Sequence, residues 1–236
     1  MVKFFIDPGH GGRDSGAIGN GIEEKQINLQ IALKVRDILM AEYENTEIKM
    51  SRTSNQTVSL AERTALANGW GANYLLSIHV NSGGGTGYED YIYSGTGAPT
   101  TSYQNIVHEE AVKITGFRDR GKKQANFHML RETAMPALLT ENGFIDNQAD
   151  AASLKQASFI ERIARGHVNG LARAFNLPQK KDGSVTTFEP MMYTVKAGDT
   201  LSELAVRFGT SVGELVRLNN IKDPDLIRAG ERIRVR

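Results

Sequence analysis

The chain has 236 residues, enough for one medium-sized domain and one small one. With 40% apolar and 23% charged residues it has the composition of a folded protein, which argues against global disorder. A formal net charge of +1 supplies no electrostatic case for nucleic acid or an anionic membrane surface, and the lack of cysteine excludes disulfides, thiolate metal ligands and thiol nucleophiles together.

The apolar run at Met1 to Asp7 is far too short for a signal peptide or a membrane span. Synthesis in the cytoplasm is therefore expected, with release by lysis, a pore or another non-classical route if the substrate lies outside. Val2 to Ile6 is predicted to be a strand that stops at Asp7-Pro8-Gly9. Ile27, Ile31, Val35, Ile38 and Leu39 recur at spacings of three and four, so Glu24 to Tyr43 is predicted to be a helix with one core-facing stripe. A short strand at Ile48 to Ser51, a helix at Leu60 to Asn68 and a buried-type strand at Tyr74 to Val80 follow. Tyr88 to Tyr93 alternates as a strand, Tyr103 to Ile114 as a helix, Pro136 to Thr140 is the last convincing strand, and Phe159 to Phe175 is a closing helix. Strands alternating with helices make an α/β pattern.

From Asn176 to Pro190 the periodicity collapses into Pro, Lys, Asp, Gly, Ser and Thr. The chain is accordingly divided into a first domain over 1–177, a linker over 178–190 and a second domain over 191–236. The second contains a strand at Tyr193 to Val195, a helix with Leu201, Leu204, Ala205 and Phe208 on one face, a helix at Val212 to Leu218, and a strand near Arg232 to Val235. A βααβ unit of this size has only a marginal core.

Three apolar strands run into ionisable residues: Phe4-Phe5-Ile6 into Asp7 and His10, Leu75 to Ile78 into His79 and Asn81, and Ala137 to Thr140 into Glu141 and Asn142. In open α/β sheets the reactive groups gather beyond the carboxyl ends of strands, so these residues can converge. Two imidazoles and a carboxylate suit zinc with water in the fourth position, and Glu24, at the start of the first helix, can supply the carboxylate. A further carboxylate, Glu141, can take the proton of that water and return it to a leaving amine.

Simpler readings stand beside these. His108 and His167 lie in helices and read as structural or solvated, and His128 is a candidate substrate contact near the cleft. Asp7 is a ligand or, equally, a residue supporting one. Gly83-Gly84-Gly85 is most simply a flexible loop, with a lid as the alternative.

At these residues the chain resembles the zinc N-acetylmuramoyl-L-alanine amidases of bacterial wall turnover, sporulation and phage lysis. The matching stretches are Ile6-Asp7-Pro8-Gly9-His10-Gly11-Gly12, Glu24-Lys25 with Asn28-Leu29, Ser77-Ile78-His79-Val80-Asn81 and Glu141-Asn142-Gly143-Phe144. Ser51-Arg52-Thr53 and Leu60-Ala61-Glu62-Arg63 are similar as well. The resemblance implies a mixed, mostly parallel sheet flanked by helices, one zinc ion on His10, Glu24 and His79, and Glu141 as the catalytic acid-base. Glu23 competes with Glu24 by one register. Asn81, His128 and Arg131, with Asp119-Arg120-Gly121-Lys122-Lys123, are expected along the groove that holds the muropeptide.

The tail resembles a LysM domain through Tyr193-Thr194-Val195, Gly198-Asp199-Thr200-Leu201, Leu218-Asn219-Asn220 and Arg232-Ile233-Arg234-Val235. That likeness implies a groove for N-acetylglucosamine-containing glycan at Gly198, Asp199, Thr200, Asn220 and Ile221, although Gly198 and Asp199 also suit a plain turn and helix cap. The expected partner is peptidoglycan at both domains, without nucleic acid or membrane, and the working expectation is a monomer. The activity implied is hydrolysis of the amide between N-acetylmuramic acid and L-alanine. A zinc peptidase of the stem peptide and a non-catalytic wall-binding protein are the alternatives, with a polysaccharide deacetylase a more distant one.

Overall fold

A strand buried on both faces needs apolar residues at successive positions rather than at alternate ones, and β1 (Val2–Pro8) meets that condition from Phe4 onward. The computed structural model describes residues 1–180, 192–208, 212–224 and 226–235. After β1 the chain makes a small hairpin, β2 (Ile18–Gly19) with β3 (Ile22–Glu23), and enters α1 (Glu24–Glu42). β4 (Thr46–Met50), α2 (Leu60–Trp70), β5 (Tyr74–Asn81) and β6 (Tyr88–Tyr93) follow. Then come α3 (Thr100–Thr115), β7 (Asp119–Ala125), the single turn α4 (His128–Arg131), β8 (Ala137–Phe144), α5 (Gln148–Leu154) and α6 (Ala157–Ala174).

Six strands form one sheet in the order β4-β1-β5-β8-β6-β7. Every neighbouring pair is parallel except β6 with β8, so the sheet is mixed and mostly parallel as the sequence implies. The pleat sorts side chains into two layers. Phe4, Ile6, Leu76, Ile78 and Leu138 pack with Ile31 and Val35 of α1 and with Ile163 and Val168 of α6. Phe5, Leu75 and Leu139 pack instead with Ala67 of α2 and with Met129 and Leu130 of α4. The parallel register sets Asp7 beside Ser77 and His79 beside Glu141, so the ionisable ends of three central strands share one edge.

α2 begins where its sequence says it should. Ser59 accepts from the Glu62 amide while the Glu62 carboxylate accepts from the Ser59 amide, a reciprocal cap, and Gly71 ends the helix in the left-handed conformation. The polar stretch Asp119–Ala125 forms an edge strand that periodicity does not reveal, because charged side chains protect an edge and leave no apolar alternation. β8 extends through Phe144, so Glu141 lies within the strand rather than beyond it.

The second domain is a strand β9 (Met192–Thr194), helices α7 (Leu201–Phe208) and α8 (Val212–Asn219), and a strand β10 (Arg232–Arg234) paired antiparallel with β9. Val195, Leu201, Leu204, Leu215, Ile233 and Val235 are its buried core, giving the expected βααβ unit. The linker placed over 178–190 lies, from residue 181 onward, outside the described residues, as do Met191 and Arg236 at the ends of the second domain. Among the described residues, no helix is long and apolar enough to cross a membrane.

Candidate metal centre and catalytic cleft

β1 hands the chain to a loop at Gly9, where any Cβ would collide with the His79 ring, so only glycine lets this loop lie against β5. His10 then takes a φ of 60°, and Arg63 Nη2 fixes that turn by donating to the His10 carbonyl at 2.6 Å. The His10 ring lies with Nδ1 2.8 Å from Asp14 Oδ2 and Nε2 3.2 Å from Glu24 Oε2. His79 Nδ1 lies 2.9 Å from the other oxygen of Glu24. The two rings are nearly perpendicular, and one ligand atom from each of His10, Glu24 and His79 falls within 4.8 Å of the others.

Glu24 is held at the start of α1 by further donors. Its Oε2 accepts from the Ala17 amide at 2.9 Å, and its Oε1 from Asn28 Nδ2 and the Val80 amide, both at 3.2 Å. Burial alone would raise its pKa, but the contacts with His10 and His79 outweigh burial and hold it far below the ordinary carboxylate range. Glu23 points elsewhere: its carboxylate meets Lys25 at 3.2 Å and Gln26 at 3.0 Å. The geometry therefore brings Glu24, one residue on, to the two histidines.

Asp7 is not a member of the group. It is fully buried, with Oδ1 accepting from Ser51 Oγ at 2.6 Å and Arg63 Nη1 at 2.7 Å, and Oδ2 accepting from Ser77 Oγ at 2.8 Å. Burial pushes its pKa up, and the Arg63 charge together with those hydrogen bonds brings it down below the usual value. Asp7 thus anchors Arg63, and Arg63 in turn holds the carbonyls of Pro8 and His10. On the other flank Asn142 Nδ2 donates to the His79 carbonyl at 3.1 Å. Asn142 is itself oriented by His167, whose Nε2 lies 2.8 Å from the amide oxygen. Burial pushes the His167 pKa down to about 4, so the ring is neutral near pH 7 and Nε2–H is the donor.

Glu141 sits beside this group with the opposite electrostatics. Its Oε2 is buried without a hydrogen-bond partner. Burial, and then the charges of Glu24 and Glu89, raise its pKa well above the ordinary value. A carboxyl with a raised pKa and an unpaired oxygen is suited to proton transfer. A cavity of about 350 Å³ opens next to the centre, lined in part by Gly9, His10, Thr57, Leu60, Arg63 and His79.

The other expected site residues separate. Asn81 is near, but its side chain is committed: Nδ2 donates to Glu89 at 2.9 Å and Oδ1 accepts from the Ser82 amide at 2.8 Å. His128 reaches Thr64 of α2 at 3.5 Å, one residue from Arg63 in the cavity wall. Arg131 lies apart from the three converging residues: its guanidinium is held by Glu132 and Asn126, and it lines a different cavity with Tyr93, Pro136 and Ala137, where β8 begins. Four residues along β8 separate Ala137 from Glu141, ~13 Å of strand. The Gly83-Gly84-Gly85 loop is pinned rather than free, since Asp146 Oδ2 accepts from the Gly83 amide at 2.8 Å and the Gly84 amide at 2.7 Å. His108 and His167 are buried, so of the two readings given to them the structural one applies.

In the second domain Thr200 is the helix cap, reciprocally bonded with Glu203, and Asp199 closes the turn by accepting from the Lys196 amide at 2.7 Å and Tyr193 Oη at 2.9 Å. The cap is therefore one residue later than the sequence suggests. Gly198 and Asn220 take φ of 90° and 51°, and Ile221 leans on the small core. Sequence reasoning missed Asp14, which steadies the His10 ring, and Glu89 beside Glu141. An acid four residues past His10 in the same loop was the available signal for the first; a buried glutamate on β6 carries none.

Two imidazoles and an ionised carboxylate beside an unpaired acid are a donor set able to hold a metal ion next to a group able to move a proton. The family model described as N-acetylmuramoyl-L-alanine amidase matches residues 4–173, and that of the LysM domain matches residues 193–236. The chain is 68% identical, over 177 residues, to the N-acetylmuramoyl-L-alanine amidase CwlM of Bacillus licheniformis, covering 75% of this chain and 70% of that one. It is 58% identical to the sporulation-specific N-acetylmuramoyl-L-alanine amidase of Bacillus subtilis, covering 87% of this chain and 81% of that one. The solved catalytic domain of the amidase CwlV from Paenibacillus polymyxa superposes with a TM-score of 0.72 at 35% identity, covering 75% of this chain and 100% of that one. The chain belongs to the N-acetylmuramoyl-L-alanine amidase family and is an amidase that acts on peptidoglycan, carrying a LysM domain at its C-terminal end.

Proposed function

We propose that the chain cleaves the amide between the lactyl group of N-acetylmuramic acid and the first L-alanine of the stem peptide, using one zinc ion held by His10, Glu24 and His79. The observation that carries this reading is the convergence of those three residues beside Glu141 with its unpaired buried oxygen. The donor set fits the ion: two neutral imidazoles and one anionic carboxylate are borderline ligands that leave an open position. When bound, zinc supplies a Lewis acid for the scissile carbonyl and lowers the pKa of a water molecule.

Glu141 accepts the proton of the attacking water and delivers it to the departing alanine amine. Asp14 and Asn142 keep His10 and His79 in their ligating orientations, and Arg63 fixes the loop that carries His10. The LysM domain is proposed to hold N-acetylglucosamine-containing glycan through the loops at Gly198, Asp199, Thr200, Asn220 and Ile221. Weak binding there raises the local concentration of the catalytic domain on the polymer. The protein is proposed to reach the wall after synthesis in the cytoplasm, by lysis, holin pores or non-classical release.

Mass spectrometry of digested peptidoglycan tests the chemistry. New free L-alanine amino termini with intact glycan, abolished by chelator and restored by zinc, are expected. Cleavage beyond alanine, or turnover indifferent to chelation, would overturn it.

A further inference from the structure

Beside Glu141, on the same face of the sheet, lies a charge cluster whose two cations have no part in the hydrolysis described above. Glu89 is the residue directly opposite Glu141 across the antiparallel β6–β8 pair, and it is 2% exposed. Its Oε1 accepts from Tyr91 Oη at 2.7 Å and Asn81 Nδ2 at 2.9 Å. Its Oε2 accepts from two cations of β7, Arg120 Nε at 2.7 Å and Lys123 Nζ at 2.5 Å. One carboxylate against two cations leaves a net positive charge. It is presented at the surface, because the Arg120 and Lys123 side chains remain 29% and 36% exposed.

The pair is held for presentation, not merely for balance. Arg120 uses Nε on Glu89 and stacks its guanidinium over the Phe144 ring at 4.7 Å, while its Nη atoms have no hydrogen-bond partner among the described residues. A guanidinium fixed on one side with its terminal nitrogens free is a ready fork for a carboxylate. Lys123 also lies over the Tyr91 ring, whereas its neighbour Lys122 turns to the other face and bonds Asn105. A step of two residues along β6, from Tyr88 to Asp90, faces a step of three along β7, from Asp119 to Lys122, and this irregularity puts Arg120 and Lys123, three positions apart, on the face that carries Glu141 while Lys122 takes the other.

Position and substrate chemistry then agree. Neighbouring strands are ~4.8 Å apart, so cations reaching from β7 back over β6 lie one to two strand spacings, ~5–10 Å, from the Glu141 strand. An extended peptide covers that span in roughly two or three residues. The 350 Å³ cavity beside His10 lies on the opposite, β1, side of the centre. We propose that Arg120 and Lys123, positioned by Glu89, form a carboxylate-recognition subsite for the stem peptide, binding an acidic residue one or two positions beyond the scissile alanine, with the sugar directed to the His10 side. This inference rests on the proposed cleavage at alanine and adds the orientation of the substrate and a preference for anionic stems.

The test compares soluble muropeptides whose stem carboxylates are free with the same molecules amidated, using the zinc-loaded full chain and the variants Arg120→Gln and Lys123→Gln. Each single variant leaves one cation on Glu89, which protects the fold. With free carboxylates, each variant is expected to raise KM about tenfold to a hundredfold, the loss of one charge-assisted hydrogen bond, with kcat little changed. With amidated stems, the wild-type KM should already be raised and the variants should add nothing. Calorimetry with the released stem peptide should show the same ranking without turnover. Equal losses on both substrates, a fall in kcat alone, or unchanged binding of the stem peptide would overturn the subsite. The position of the cut is read separately by mass spectrometry, so a failure of the cleavage assignment is distinguishable from a failure of this one.

Discussion

The two flanks of the catalytic centre treat a buried carboxylate in opposite ways. On the flank built by β1, β5 and α1, Glu24 meets two imidazoles, two backbone amides and the Asn28 side chain, all within 3.2 Å. On the flank built by β8 and β6, Glu141 is only partly buried as a residue but has a buried oxygen with no partner and a carboxylate neighbour in Glu89. Saturation with donors fixes the first group as an anion, the form a metal ligand needs. Withholding donors leaves the second able to exchange a proton. The same residue type thus takes two roles through its surroundings alone.

The sharpest way to break this contrast is to remove the saturated member. Glu24→Gln should lose the metal and all measurable turnover, while Glu23→Gln, whose side chain faces Lys25 and Gln26, should keep both. Metal content by atomic absorption decides it, and retention of zinc by Glu24→Gln would reassign the ligand. Removing the unsaturated member should act differently. Glu141→Ala should keep one zinc ion per chain and the wild-type melting point, yet lose a factor of about 10² to 10⁴ in kcat. A fully active Glu141→Ala protein would end the role assigned to it.

How much of this was legible beforehand follows the same division. The proposed ligands His10, Glu24 and His79 and the proposed acid Glu141 stood out because each follows or lies within an apolar strand, or begins an amphipathic helix, and the roles proposed for them came from the resemblance of those motifs to the amidase family. The partners that set their behaviour were not. Asp7 and Arg63 are 56 residues apart and Asn142 and His167 are 25 apart, and only the folded register joins them. The place of Arg131 was not legible because its short helix, α4, packs over the sheet near the start of β8, and nothing in local sequence sets that direction. β7 was missed because an edge strand needs no buried stripe, which is also why its charges are free to act.

The support beneath the saturated flank offers the next test. Arg63→Ala would strand the fully buried Asp7 carboxylate and release the His10 carbonyl, and breaking a buried ion pair from one side costs about 3–5 kcal/mol. Chemical denaturation should show a loss of that order. Asp14→Asn should be milder, because Asp14 is exposed and its carboxylate meets only the far nitrogen of the His10 ring and the nearby Gly16 amide, not a buried charge. Zinc affinity should fall roughly 10- to 100-fold with the fold intact, as for other partners of a ligating histidine. Competition with a chromophoric chelator measures it.

The smallest effect tests whether donor saturation governs titration away from the metal. His108 lies between Asp90 at 2.9 Å and Asp119 at 3.0 Å. Burial alone would lower its pKa, but hydrogen bonding to Asp90 and the charges of Asp90 and Asp119 raise it above the ordinary 6.5. A raised histidine stabilises the fold fully below the unfolded value and loses that contribution as pH climbs through the folded one. The Asp119 pKa is lowered, mainly because a backbone hydrogen bond from Gly121 and then His108 outweigh its desolvation, so its share is lost only as pH falls through that lowered value. Stability from this contact should therefore be greatest between the two limits and decline on the alkaline side of 6.5. Melting points of wild type and His108→Gln followed upward from that pH should converge, because the variant has no such charge to lose. Parallel curves across the range would show that His108 contributes packing alone, and that the contrast between saturated and unsaturated groups belongs to the catalytic centre only.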